Sequence, residues 1–107
     1  MTYDELVDMA KAMPDVCEGT SYGDLSVKRG ARWMFSLKKN GETIALKLNW
    51  KSHDILLRTN PDVIFKIPHY EGYPAFLVRL EQLTPTLAES LVKASWEDAP
   101  NPAKKIK

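Results

Sequence analysis

Apolar residues first recur at helical spacing, with Tyr3, Leu6, Val7, Ala10 and Met13 falling on one side of a helix. Thr2 and Glu5 have the spacing of a capping box, and Pro14 stops the run. The period then changes to two. After a loop over residues 19–23, Leu25-Ser26-Val27-Lys28 reads as a short strand and Arg29-Gly30 as a tight turn. Residues 32–38 alternate, with Trp33, Phe35 and Leu37 on one face and Arg32, Ser36 and Lys38 on the other. Asn40-Gly41 predicts a type I′ hairpin, whose two central residues both need positive φ. The returning strand, Thr43 to Leu48, turns Ile44, Leu46 and Leu48 inward and Lys47 outward.

Asn49 is placed to cap a second helix, Trp50 to Thr59, which Asn60-Pro61 ends. Val63 to Ile67 leads into a fourth strand and Ala75 to Leu80 forms a fifth. Between them runs Pro68 to Pro74, a connection dense in rings. Thr84-Pro85 opens the last helix, on which Leu87, Ala88, Leu91, Val92 and Ser95 share a face. The order α-β(3)-α-β(2)-α predicts a two-layer α+β domain with an antiparallel sheet. One sheet face packs on helices; the other is partly solvated and displays Arg32, Lys38 and Lys47. A single domain spans residues 1–100, and residues 101–107 form a frayed basic tail.

The 107 residues are 44% hydrophobic and 27% charged, a soluble globular profile. No stretch approaches the ~20 apolar residues of a membrane span. The acidic start Met1-Thr2-Tyr3-Asp4-Glu5 lacks the basic region of a signal peptide. The single cysteine fits a reducing compartment, so a cytoplasmic monomer is expected. Net charge is only +1, yet it is unevenly spread. Residues 1–24 carry six acids against Lys11, whereas residues 25–58 carry eight bases against Glu42 and Asp54. That split predicts a basic surface for an anionic partner, or two segments that neutralise each other in the fold.

Candidate chemistry is sparse. Two histidines, one cysteine and scattered carboxylates show no metal-ligand spacing, and no cofactor motif is present. His69, beside Tyr70, Glu71 and Tyr73, is the best acid–base candidate, because imidazole titrates near neutral pH. The structural alternative has His69 and Tyr73 hydrogen-bonding the loop backbone while their rings cover the sheet edge. Cys17 lies beside Glu18 and near Asp15, which disfavours a thiolate. Trp33, Trp50 and Trp96 sit in apolar segments and read as core or core rim. Trp50, opening a helix beside Lys51, has a stacking role as its alternative.

The run His69-Tyr70-Glu71-Gly72-Tyr73-Pro74-Ala75-Phe76-Leu77-Val78-Arg79-Leu80 resembles a signature of the MmcQ/YjbR-like family of small bacterial proteins. Met13 to Gly23, Val27 to Arg32 before Met34-Phe35, Asn60-Pro61 and Ala94-Ser95-Trp96 with Ala99-Pro100 extend the resemblance over nearly the whole chain. Ala31-Arg32 departs from the Gly-Lys pair usual in such proteins. The resemblance implies a YjbR-like fold, related in shape to type III secretion chaperones, and a DNA-binding role. Two adjacent basic turns can act as wings that straddle a phosphate backbone, or as solubilising charges that protect sheet edges from aggregation. The leading expectation is a non-enzymatic module with weak, largely non-specific nucleic-acid affinity through Lys28, Arg29, Arg32, Lys38, Lys39 and Lys47. The alternative is a protein-interaction or chaperone-like module using the sheet edge or a groove. A small-molecule enzyme centred on His69 comes third; His69, Tyr70 and Tyr73 read as either a ligand contact or a structural loop.

Overall fold

The structure, a computed structural model, describes residues 1–98; the tail at 101–107 lies outside the described residues. Helix α1 (Tyr3–Lys11) starts with its capping box formed: the Thr2 hydroxyl accepts from Glu5 N–H at 3.1 Å, and the Glu5 carboxylate accepts from Thr2 N–H at 2.9 Å. Both bonds satisfy donors that a helix start leaves orphaned. Strands β1 (Val16–Ser21), β2 (Asp24–Arg29), β3 (Arg32–Leu37) and β4 (Thr43–Lys47) follow, then helix α2 (Trp50–Thr59). Strands β5 (Ile64–Phe65) and β6 (Ala75–Arg79) precede helix α3 (Pro85–Asp98). The six strands form one antiparallel sheet in the order β1-β2-β3-β4-β6-β5. The domain is α+β, as the patterning predicts, with one strand more.

That extra strand, β1, takes most of the residues expected to form a loop at 19–23. Cys17, Glu18 and Thr20 are exposed, so the strand carries little apolar alternation to reveal it. It joins β2 through Tyr22-Gly23, with φ of 53° and 86°, the two left-handed residues of a type I′ turn. Asn40-Gly41 does not make such a turn. Only Gly41 is left-handed, at φ 73°, and its N–H bonds to the Lys38 carbonyl at 2.9 Å. The Asn40 side chain accepts from Glu42 and Thr43 N–H instead, at 2.8 and 3.2 Å, which widens the loop.

Cross-strand register fixes the two faces. Val27, Phe35, Leu46 and Phe76 stand in one row, and Leu37, Ile44, Val78 and Ile64 in the next. They meet Leu6, Val7 and Ala10 of α1 and Ala88, Leu91 and Val92 of α3 in the core. The opposite face carries the row Ser26, Ser36, Ala45 and Leu77. β3 contains a bulge: Val27 pairs with Phe35 but Lys28 with Trp33, leaving Met34 as the extra residue. The bulge reverses the alternation, so Trp33 stands on the face opposite Phe35. Trp33 is therefore not a core residue. Met34 turns inward and is fully buried, its carbonyl accepting from the Ser95 hydroxyl of α3 at 3.2 Å.

Candidate functional site: a ring-lined groove

Residues 67–75 fold back in short turns. Tyr70 N–H bonds to Ile67, Glu71 to Pro68 and Tyr73 to Tyr70, at 3.0, 3.1 and 3.0 Å, and Gly72 supplies the one left-handed step at φ 76°. One side chain anchors this loop to the body of the protein. The Lys66 ammonium donates to the Tyr73 carbonyl at 2.7 Å and to His53 Nε2 at 2.7 Å. Because Nε2 accepts, the His53 proton resides on Nδ1, which donates to the Asp54 carboxylate at 2.9 Å. His53 is only 3% exposed, stacked on Phe76 at 5.4 Å and edge-on to Trp50 at 4.9 Å. Burial lowers the Lys66 pKa despite the nearby Glu71 and Asp54 carboxylates.

The anchored loop stands over the helix-free face of the sheet and encloses a groove of about 740 Å³. Its floor is small: Ser36 and Ala45, 6% and 1% exposed. Its walls are rings. Tyr70 and Tyr73 lie nearly parallel, 6.2 Å apart, and His69 meets Tyr70 edge-on at 4.9 Å. Trp33 faces them from β3, its indole N–H donating to the Ser36 hydroxyl, and the fully exposed Tyr22 of the β1–β2 turn stands at the rim. Lys38 and Asp24 complete the lining. Burial, then Tyr73 and Asp24, raise the Tyr70 pKa, so its hydroxyl is a neutral donor.

The six basic residues do not share one solvated face. Arg29 is 9% exposed; its Nη1 donates to the Trp96 carbonyl at 2.7 Å and its guanidinium lies 3.7 Å over the Trp96 ring. Lys47, expected on the solvated face, pairs with Asp98 at 2.8 Å. Both cations thus serve the end of α3, where carbonyls lack intrahelical donors. Arg32 is exposed, while Lys28 and Lys38 are half-buried on the groove side. Lys39 is exposed and stands 3.6 Å from Asp24. His69, Tyr70 and Tyr73, grouped by the sequence reading, all line the groove; Tyr73 is 41% exposed and faces the groove instead of covering the sheet edge. That reading misses Trp33, Asp24 and Tyr22, and the Lys66–His53 anchor. The Tyr22-Gly23 pair, a turn signal between two polar strands, was the available clue to one of them.

No family model matches the chain. Its sequence is 42% identical over 41 residues to the uncharacterized proteins Rv2570 of Mycobacterium tuberculosis and Mb2600 of Mycobacterium bovis. That stretch is 38% of this chain, and it spans about a third (32%) of those relatives' length. Among solved structures, the fold is similar to Deinococcus radiodurans protein DR2400, a DUF419 domain, with a TM-score of 0.70 and 21% identity. The match covers 89% of this chain and 75% of that one. DUF419 is the YjbR/MmcQ-like family, so the shared feature is its fold. No helix among the described residues is long and apolar enough to cross a membrane.

Proposed function

We propose that this chain is a YjbR-like, non-enzymatic module of the cytoplasm that binds nucleic acid by receiving unpaired bases in the ring-lined groove. The observation that carries this reading is the groove itself: the rings of Trp33, His69, Tyr70 and Tyr73 over a floor of Ser36 and Ala45, with Lys38 among them. Flat walls and a small floor suit planar groups, and stacking on each ring is worth about 1–3 kcal/mol per base without regard to sequence. Lys28 and Lys38 stand on the groove side and supply cations for phosphate there, whereas Arg32, opposite Arg29 in register, stands on the helix side of the sheet. Duplex binding by paired basic wings is less supported, since Arg29 and Lys47 are engaged with α3.

His69 takes the role of a ring contact in this reading. A general base needs a partner that fixes its tautomer, and the imidazole meets only the edge of Tyr70 among the described contacts. A second reading has one observation behind it. β1 ends the sheet with a six-residue polar edge, onto which an extended peptide could add as a further strand. Fluorescence anisotropy with labelled single-stranded and duplex oligonucleotides separates the two. The single strand is expected to bind more tightly than the duplex, with log affinity falling against log salt at a slope of about −2 for roughly three phosphates neutralised. Tyr70→Ala should weaken it by roughly tenfold, the cost of one stacked base. Equal binding of duplex, or none at tens of micromolar (~50 mM salt), would overturn the proposal and favour the peptide-binding edge.

A further inference from the structure

One group in the groove is unaccounted for by stacking. Asp24 presents a carboxylate whose side chain is only 16% exposed, among rings. No hydrogen bond reaches it among the described residues; its nearest cation, Lys39, is 3.6 Å away and itself 84% exposed. A carboxylate accepts on two oxygens and donates nothing, so withdrawal from water leaves it in need of donors. Tyr70 and Tyr73 stand across the same cavity. A planar group seated against those rings shares the cavity with Asp24.

We infer that the groove is selective for guanine, with Asp24 accepting from the N1–H and the N2 amino group of a base held among Trp33, Tyr70 and Tyr73. This rests on the nucleic-acid reading above and adds a chemical preference to it. Of the common bases, guanine alone presents two adjacent donors on its Watson–Crick edge, matching the two oxygens of one carboxylate. Adenine and cytosine offer a single amino donor beside a ring acceptor, which faces a carboxylate unfavourably. Thymine offers one N–H flanked by carbonyls, which repel it. Ser36 lies on the floor with its oxygen accepting from Trp33, so its own proton is free to donate to the guanine O6 side. Lys38, also in the lining, supplies a cation for the attached phosphate.

The test measures affinity for a short thymine tract carrying one central guanine, hypoxanthine, adenine or cytosine. Guanine should bind roughly 10- to 100-fold more tightly than the other natural bases, the range for a good bidentate pair. Hypoxanthine, which keeps N1–H and lacks the N2 amino group, should fall between. Asp24→Asn replaces one acceptor by a donor and should level the four bases; Lys39→Met, which removes the exposed cation beside the carboxylate, should preserve the preference. The hypoxanthine comparison on the unmodified protein stands even if Asp24→Asn fails to fold. Equal affinity for all four bases would overturn the selectivity, and a guanine preference that survives Asp24→Asn would overturn its assignment to Asp24, each leaving the groove reading intact. Absence of binding to every oligonucleotide would overturn both. Capture of an arginine-bearing peptide in place of them would do the same, assigning the carboxylate to a guanidinium.

Discussion

Replacing Lys66 with Met removes the anchor of the ring loop while keeping most of the apolar stem. Two bonds of 2.7 Å are lost, to His53 Nε2 and to the Tyr73 carbonyl. The histidine is 3% exposed between Trp50 and Phe76, so water cannot replace the donor at Nε2. Leaving such an acceptor unmade costs about 1–3 kcal/mol. Against this, the variant relieves the desolvation that lowers the Lys66 pKa, which moves the net cost towards the lower half of that range. For a domain of this size each kcal/mol shifts the melting midpoint by about 4–8 °C. His53→Phe on the Lys66→Met background removes both partners and should recover much of the loss, because Asp54 is mostly exposed and regains water. Urea denaturation of the four proteins in the cycle gives the coupling, expected at about 1 kcal/mol or more. Oligonucleotide affinity should fall in both Lys66 variants, since the Tyr73 carbonyl stays unheld. An unchanged urea midpoint for Lys66→Met, or strict additivity in the cycle, would refute the anchor.

Phe35→Ala should cost about 3–5 kcal/mol, because Phe35 is wholly buried, whereas Trp33→Ala should cost clearly less and still weaken oligonucleotide binding; chemical denaturation beside anisotropy reads both. Lys47→Glu sets two carboxylates together at the end of α3 and should lower stability by about 1–3 kcal/mol. Burial first, then Glu18 and Asp4, push the Tyr3 hydroxyl up to about 12 from its ordinary 10.0. The folded state then holds this proton longer than the unfolded one, so the stability it contributes is complete below pH 10.0 and is lost as pH rises through about 12. Tyr3→Phe should lessen that alkaline loss, and absorbance titration should show one phenol fewer ionising late.

What was legible in the chain was what local chemistry dictates. The Thr2–Glu5 box, the Asn49 cap and the Thr84-Pro85 start each mark a helix where the structure has one. Alternation in Thr43 to Lys47 and the apolar run Ala75 to Arg79 mark the paired strands β4 and β6. β1 escaped because an edge strand need bury only one weakly apolar face, and Val16 with Cys17, Thr20 and Ser21 leaves almost no period. Trp33 was assigned to the wrong face by a single residue: nothing in Arg32-Trp33-Met34-Phe35 announces that Met34 is extra, and one insertion reverses a period of two. Arg29 and Lys47 looked solvated because their partners, Trp96 and Asp98, lie 67 and 51 residues away in sequence. The groove combines a turn, a bulged strand and a distant loop, a convergence that only tertiary structure creates.

The most direct test follows backbone amide resonances of the protein as a guanine-containing single strand is added. The groove account expects shifts that saturate together and concentrate at Ser21 to Asp24, Trp33 to Lys38, Ala45 and His69 to Tyr73, which line the cavity. Shifts confined to the exposed face of β1, or to the α1 and α3 side of the sheet, would contradict it.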